Sequence, residues 1–361
     1  MIYMPMLKLK QNELRALKAC NEEKKEAIGP LFDIPRPESD TEKELLISVD
    51  KATKSLRLYW NEGRFAYIDC FDIQPGITIN GFHPYYHILD SVRDYKLSPV
   101  VGLDREPDQV DAAIRYVRSA TCENQRRIGI RLLPDDFDDF GLTELDLSDL
   151  IAALPKETLA YDFLIDCRVL SPADVEVTAD KISAFIKSSL SSFSPDRFFV
   201  SASSIPSSAG AVLGTESEAH IARCEKLLWE EIVGRLGRTE IEKTFYSDYG
   251  VVSPQYSDAA LSPGLFQSVT TPKIFYTYDY GVFAIRGGAF QTHPRGRDQY
   301  YDMASVLVAK PFFRGAGASS GDSYIQECAD GNTGRGSPGS WVKETLNSHL
   351  EFVVCELWGS P

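Results

Sequence analysis

Short apolar runs rich in β-branched and aromatic residues take turns along this chain with longer stretches of helical periodicity. Eight runs read as strands: "IYMPMLKLK", "PLFDIP", "RFAYIDCFDI", "SPVVGLD", "RRIGIRLLP", "YDFLIDCRVL", "RFFVSASSI" and "EKTFYSDYGVV". Between them, Val110, Ile114 and Val117 recur at i, i+4 and i+7, and Ile221, Cys224, Leu228 and Ile232 lie at helical offsets. Helix starts are marked as well. Ser39 with Glu42 and Thr215 with Glu218 have capping-box spacing, and "SPAD" at 171–174 puts Pro172 first after a Ser cap. Parallel neighbours need a crossover, and a helix is the usual one, so eight β-then-α units predict a (β/α)8 TIM-like barrel. The same alternation permits an open doubly wound α/β sheet as the alternative.

The pattern changes after Gly250. Residues 251–340 are rich in Gly, Ser, Pro and Tyr, and "YTYDYGVFAIRGGAF" alternates in the manner of an antiparallel hairpin strand. "SWVKETLNSHLEFVVCEL" then returns to helical spacing through Trp341, Leu346, Leu350, Val353 and Leu357. The expected organisation is residues 1–250 as eight barrel units, 251–340 as an insertion between strand eight and the last helix, and 341–361 as the helix that closes the ring. Such an insertion sits at the C-terminal mouth, where barrel active sites are built. The twin phrases "YSDYGVVS" and "YDYGVFAI" place Asp248 at the end of strand eight and Asp279 in a later hairpin strand.

Composition narrows the function classes. With 361 residues, 43% of them hydrophobic, the chain can bury a sizeable core. A net charge of −14 argues against a non-specific grip on duplex DNA, which needs clustered Lys and Arg. No apolar run approaches a membrane span, and Lys8 and Lys10 fall where the apolar part of a signal peptide would continue, so a cytoplasmic protein is expected. The seven cysteines are scattered and never paired as CxxC, so they read as reduced thiols rather than zinc ligands.

The strand ends carry the candidate chemistry. In order they present Lys8 and Lys10, Asp33, Asp69 and Asp72, Asp104, Arg131, Asp166 and Arg168, Ser203, and Asp248, a dense polar ring for one barrel mouth. Charges inside apolar runs need a partner or a ligand. One reading makes Asp69, Asp166 and Asp248 catalytic, with Asp69 and Asp166 holding Mg2+ or Mn2+ while Lys8, Lys10, Asp33 and Arg131 bind a phosphate-containing anion in a phosphoester reaction. A second makes a desolvated Lys8 a base or Schiff-base nucleophile. A third has Lys8 and Arg131 hold an anion without reaction, and a fourth has Lys–Asp and Arg–Asp pairs plug the barrel. His83 and His87 stand at i, i+4, but the HExxH glutamate is missing and Pro84 makes His83 a helix-cap or loop residue. Glycine-rich "GNTGRGSPGSW" reads as a lid, and "YTYDYGVF" with "RDQYYDM" offers aromatic and Arg anchors for a protein partner of the insertion.

The segments "YMPMLKLKQNELRAL", "IGPLFDIP", "FYSDYGVVSP" and "GSPGSWVKETLNSHLEFVV" resemble the bacterial and phage group known as the beta protein family. By that resemblance, Lys8, Lys10, Asp33, Asp248, Trp341 and Asn347 occupy recurring positions. Asp33 stands where relatives commonly have Glu, and Ser348 where a second His beside His349 is common. The resemblance carries no settled activity; it implies a role in conflict between bacteria and phage.

Overall fold

A computed structural model describes residues 1–60, 64–256 and 270–359; of the expected insertion, residues 257–269 lie outside the described residues. The strands are β1 (Tyr3–Lys8), β2 (Leu31–Asp33), β3 (Tyr67–Asp69), β4 (Ser98–Gly102), β5 (Arg127–Leu132), β6 (Ala160–Val169), β7 (Phe198–Ser203), β8 (Ser217–Ala222), β9 (Thr244–Asp248), β10 (Lys273–Tyr278) and β11 (Gly281–Arg286). Strands β1 to β7 and β9 form a closed parallel barrel, with β9 pairing both β7 and β1. All eight expected strands are in it, so the (β/α)8 reading holds and the open sheet does not.

The helices are α1 (Gln11–Ala19), α2 (Glu22–Ala27), α3 (Glu42–Tyr59), α4 (Pro84–Ser91), α5 (Pro107–Arg118), α6 (Pro134–Asp138), α7 (Phe140–Ala153), α8 (Val175–Ser192), α9 (Cys224–Arg235), α10 (Arg238–Ile241), α11 (Gln299–Val308), α12 (Ser320–Ala329) and α13 (Pro338–Leu357). Helix α4 starts at Pro84 with His83 as its cap, the His83 Nδ1 accepting from the Tyr85 amide at 3.2 Å. Strand alternation divides the barrel's side chains. Met4, Met6, Leu31, Tyr67, Val100, Leu164, Phe199 and Tyr249 pack together as one interior cluster. Tyr3, Leu7, Phe32, Ile68, Ile130, Phe163 and Tyr246 belong to the separate, larger core shared with the helices.

One element departs from its expected type. The stretch after Thr215 does not open a helix; Ser217–Ala222 is β8, paired antiparallel with β11, and α9 begins only at Cys224. Along β8 the first four residues alternate in exposure, which a half-covered strand requires and a helix does not. Capping-box spacing alone could not distinguish the two. The small sheet β10–β11–β8 therefore draws one strand from within the barrel sequence. "YDYG" is the turn of the β10–β11 hairpin, with Tyr278 opposite Gly281.

A second core lies between this sheet and α11, α12 and α13, built on Tyr276, Phe283, Tyr300, Leu307, Ile325 and Trp341. Helix α13 belongs to both cores, giving Trp341 to the second and Leu346, Leu350, Val353 and Val354 to the barrel. Its crossing with α12 is close because Gly321 has no side chain; a Cβ there would lie 2.0 Å from the Glu344 carbonyl oxygen. Most of the insertion's tyrosines are packing residues. Tyr276 and Tyr300 are buried, Tyr278 stacks on Phe312 at 4.3 Å and Tyr300 on Trp341 at 5.2 Å, leaving Tyr280 as the large exposed tyrosine among the insertion's described residues.

Candidate functional site

Register places the polar residues of the first strands side by side. Lys8 of β1 is opposite Asp33 of β2, which is opposite Asp69 of β3, so the three form one row at the barrel's C-terminal end. Arg131 on β5 completes the layer from across the barrel. Its partner on β4 is Gly102, whose missing side chain leaves room: a Cβ there would meet Asp104 Oδ1 at 2.9 Å and Arg105 Nε at 3.3 Å.

The Arg131 guanidinium is fully buried and is the hub. It donates from Nη1 to Asp33 and to Asp69, both at 2.9 Å, and from Nε and Nη2 to Asp166 at 3.0 and 2.7 Å. Nη2 also donates to the Tyr249 hydroxyl at 2.9 Å, and that hydroxyl donates to Asp166 at 2.6 Å. Lys8 pairs with Asp33 at 3.3 Å and with Asp72. The structure thus brings together Lys8, Asp33, Asp69, Arg131 and Asp166.

Burial and pairing compete at each carboxyl. Burial opposes ionisation of Asp33, but Arg131 and Lys8 outweigh it and hold the group at about 2. Asp166 is likewise lowered, because Arg131, Arg168 and the Tyr249 hydroxyl overcome its burial. At Asp69 burial wins, helped by the charge of Asp33, and the carboxyl is raised despite Arg105 and Arg131. Burial and Asp33 also raise Asp72 against the pull of Lys8.

The sign at Asp33 gives a pH prediction. A carboxyl lowered from about 3.9 in the unfolded chain contributes stability that is full above that value and is lost as pH falls toward the folded value, here on the order of 2 kcal/mol. Asp33→Asn is expected to lower the urea midpoint at pH 7, with the gap to the parent closing between pH 4 and pH 2. A gap unchanged across that window would contradict the pairing.

Outside this hub the mouth carries a rim of cations. A register break in β6 between Asp166 and Val169, with Arg168 in the left-handed region at φ 57°, turns the Arg168 side chain to the mouth. There it donates to Tyr249 at 3.1 Å and to the Pro254 carbonyl at 2.9 Å. Arg105 donates to Asp69 at 3.0 Å, while its Nε is buried with no hydrogen-bond acceptor and lies 3.4 Å from Asp104. The guanidiniums of Arg105, Arg131 and Arg168 all converge on the ring of Phe71, at 4.8, 4.1 and 4.5 Å. On the other side, the Tyr256 ring stands 5.4 Å from Lys8 Nζ and 5.6 Å from that of Lys10, which is exposed. Phe71, Arg105, Tyr249 and Tyr256 were absent from the sequence-derived ring; Arg105, next to Asp104 in "GLDRE", was the one with a visible signal.

Asp248 is not in this site. Ser247 and Tyr249 share the parity of the interior, so Asp248 points outward to α13. It accepts from the Tyr3 hydroxyl at 2.5 Å, the Gly250 amide at 2.9 Å and the Tyr246 hydroxyl at 3.1 Å, and it lies 2.9 Å from His349 Nε2. His349 Nδ1 in turn is 2.8 Å from the Thr277 hydroxyl of β10. Hydroxyl, imidazole and carboxylate in line are the parts of an acyl-transfer relay, but Thr277, His349 and Asp248 are 2%, 1% and 1% exposed. Shut away from substrate, they join barrel, last helix and small sheet.

The expected metal pair is also rearranged. Asp69 and Asp166 each turn Oδ2 to the same guanidinium and Oδ1 to a backbone amide, and among the described residues no group of three or more His, Cys, Asp or Glu is placed to hold a metal ion. No helix of the described residues is long and apolar enough to cross a membrane.

Comparison with known families decides the relationship: the model described as "Beta protein" matches residues 3–355. The chain belongs to the beta protein family. No curated protein matches it. Several positions that carried the family resemblance prove to be joints of the fold. Asp248 and Trp341 tie the barrel to the second core, and Asn347 accepts from the Gly321 amide of α12 at 2.8 Å while donating to the Ala16 carbonyl of α1 at 3.1 Å. Lys8 and Asp33 are the members of that set that reach the mouth hub, and Lys10 stands on its rim.

Proposed function

We propose that the mouth of this beta family protein binds a small phosphate-containing anion, a nucleotide or a nucleic-acid end. The observation that carries the reading is the convergence of Arg105, Arg131 and Arg168 on Phe71. Arg131 is fully engaged by three carboxylates, whereas among the described residues the Arg105 Nε has no hydrogen-bond acceptor and the Arg168 side chain is 18% exposed. With Arg131 engaged, Arg105 and Arg168 beside this partly exposed ring make a place where a phosphate would replace the ring's weak attraction with charge-assisted hydrogen bonds. Lys8 and Lys10 would meet the same anion from beside Tyr256.

In this reading Arg131, Asp33 and Asp166 are the fixed floor. Asp72, raised by burial and by Asp33, is the group best placed to take or give a proton if a phosphoester reaction follows. A Mg2+ or Mn2+ ion would arrive on the ligand's phosphates, because Oδ2 of Asp69 and of Asp166 accepts from Arg131 while Oδ1 of each accepts from a backbone amide, of Cys70 and of Arg168. The setting proposed, on the family resemblance alone, is conflict between bacteria and phage.

Thermal unfolding with ATP, AMP, pyrophosphate and a 5′-phosphorylated oligonucleotide, each with and without Mg2+, tests this. A ligand at a hundredfold excess over Kd stabilises by about 2.7 kcal/mol, a rise of several degrees. The expected result is such a rise in the parent, lost in both Arg105→Met and Arg168→Met. No rise with any of these probes, or a rise that both variants retain, would overturn the assignment.

A further inference from the structure

A cavity of about 270 Å³ opens at the other end of the barrel from the mouth, beside the residues that lead into β2 and β3. Its walls are Leu17 of α1, Ile28, and Tyr59 and Trp60 at the end of α3. Trp60 is only 9% exposed and packs edge-on against Phe32 at 5.1 Å. Its indole Nε1 is buried, and among the described residues it has no hydrogen-bond partner. A buried N–H with no acceptor costs roughly 1–3 kcal/mol, so an acceptor that reached this donor from the cavity beside it would recover that cost.

The rim of the same cavity is cationic. Lys25 and Arg64 have side chains only 12% and 23% exposed, and both pair with Glu22, whose side chain is 79% exposed. Among the described residues, one well-exposed carboxylate therefore serves two better-buried cations, with Glu26 a more distant partner of Arg64 at 3.6 Å. Lys18 stands beside them, donating to the Leu58 carbonyl at 3.1 Å and lying 5.5 Å from the Tyr59 ring centroid. Glu22 can swing into solvent at little cost, because an exposed ion pair is worth ~0–1 kcal/mol. Another anion can then take its place on Lys25 and Arg64.

From the cavity, the unpartnered indole and the replaceable carboxylate together, we infer that this is a binding site for a small aromatic anion. Its ring lies among Leu17, Ile28 and Tyr59, its carboxylate or phosphate takes the place of Glu22 on Lys25 and Arg64, and a ligand oxygen accepts from Trp60 Nε1. The site is separate from the mouth and stands or falls independently of the function proposed there.

The indole N–H resonances of 15N-labelled full-length protein read this directly. The chain has four tryptophans, Trp60, Trp229, Trp341 and Trp358, and the resonance lost in Trp60→Phe is assigned to Trp60. Salicylate, phenyl phosphate and neutral phenol are titrated separately to millimolar concentration. The expected result is a saturable shift of the Trp60 resonance with salicylate or phenyl phosphate, the stronger of the two identifying the anionic group. Binding should weaken about tenfold in Arg64→Met and tighten in Glu22→Gln, in keeping with a charge-assisted contact. No shift with either anion, an equal shift with phenol, or unchanged binding in Arg64→Met would overturn the assignment.

Discussion

Replacing Arg131 with Met will destabilise the fold by roughly 3–5 kcal/mol at pH 7, the cost of leaving buried charge without its partner. Asp33, Asp69 and Asp166 are each 0% exposed and each accepts from this one guanidinium. Against a typical stability of ~5–15 kcal/mol, that loss is large enough to leave part of the population unfolded at moderate temperature. Arg131→Lys will not rescue it, because one ammonium has neither the five donors nor the planar fork that reaches three carboxylates and Tyr249. The defect should shrink as the pH is lowered, since protonating the stranded carboxyls removes the buried charge. Urea unfolding followed by circular dichroism at pH 7 and pH 4 checks both points. A variant as stable as the parent at pH 7 would show that the hub is not what holds the mouth together.

The second large effect is expected at Asp248. Asp248→Ala will cost roughly 3–4 kcal/mol, because it strands the buried Tyr3 and Tyr246 hydroxyls, the Gly250 amide and His349. Asp248→Asn, which keeps the volume and one acceptor oxygen, will cost less. Neither change should alter the response to phosphate-containing ligands at the mouth, since Asp248 faces α13. Thermal unfolding with and without the ligand separates the two effects. An unchanged melting point with a lost ligand response would return Asp248 to the binding site.

These two residues show what the sequence disclosed and what it withheld. The eight barrel strands were legible because each is a short apolar run bounded by turn or helix signals, and the strand-end charges stood out because such runs seldom contain Asp or Arg. Which way each charge points was harder to read. In "TFYSDYG" both faces of the strand are buried, so hydrophobicity does not reveal parity, and Asp248 looked like a mouth residue as much as Asp166 did. Strand β8 was hidden for a different reason. "SEAHIA" alternates over too few residues to outweigh a capping-box pattern, and its partner β11 lies far along the chain. Phe71 and Arg105 belong to segments after the strands, where position in space depends on loops and not on any period. The tyrosines of the insertion looked like anchors for a partner because their own core is assembled from residues scattered between 274 and 341.

The way the barrel closes has a consequence for the order of assembly. Its seam is β1 against β9, where the Ser247 hydroxyl donates to the Met4 carbonyl across 243 residues of chain, and α13, beyond residue 337, covers both cores. During synthesis the first strand must therefore wait until β9, residues 244–248 of 361, has been made before its second edge is covered, and its apolar side chains stay available to chaperones or to another nascent chain until then. Long-range closure of this kind also makes for slow folding. A cell producing this protein in quantity would meet its aggregation hazard in the unfinished chain, before the folded molecule exists.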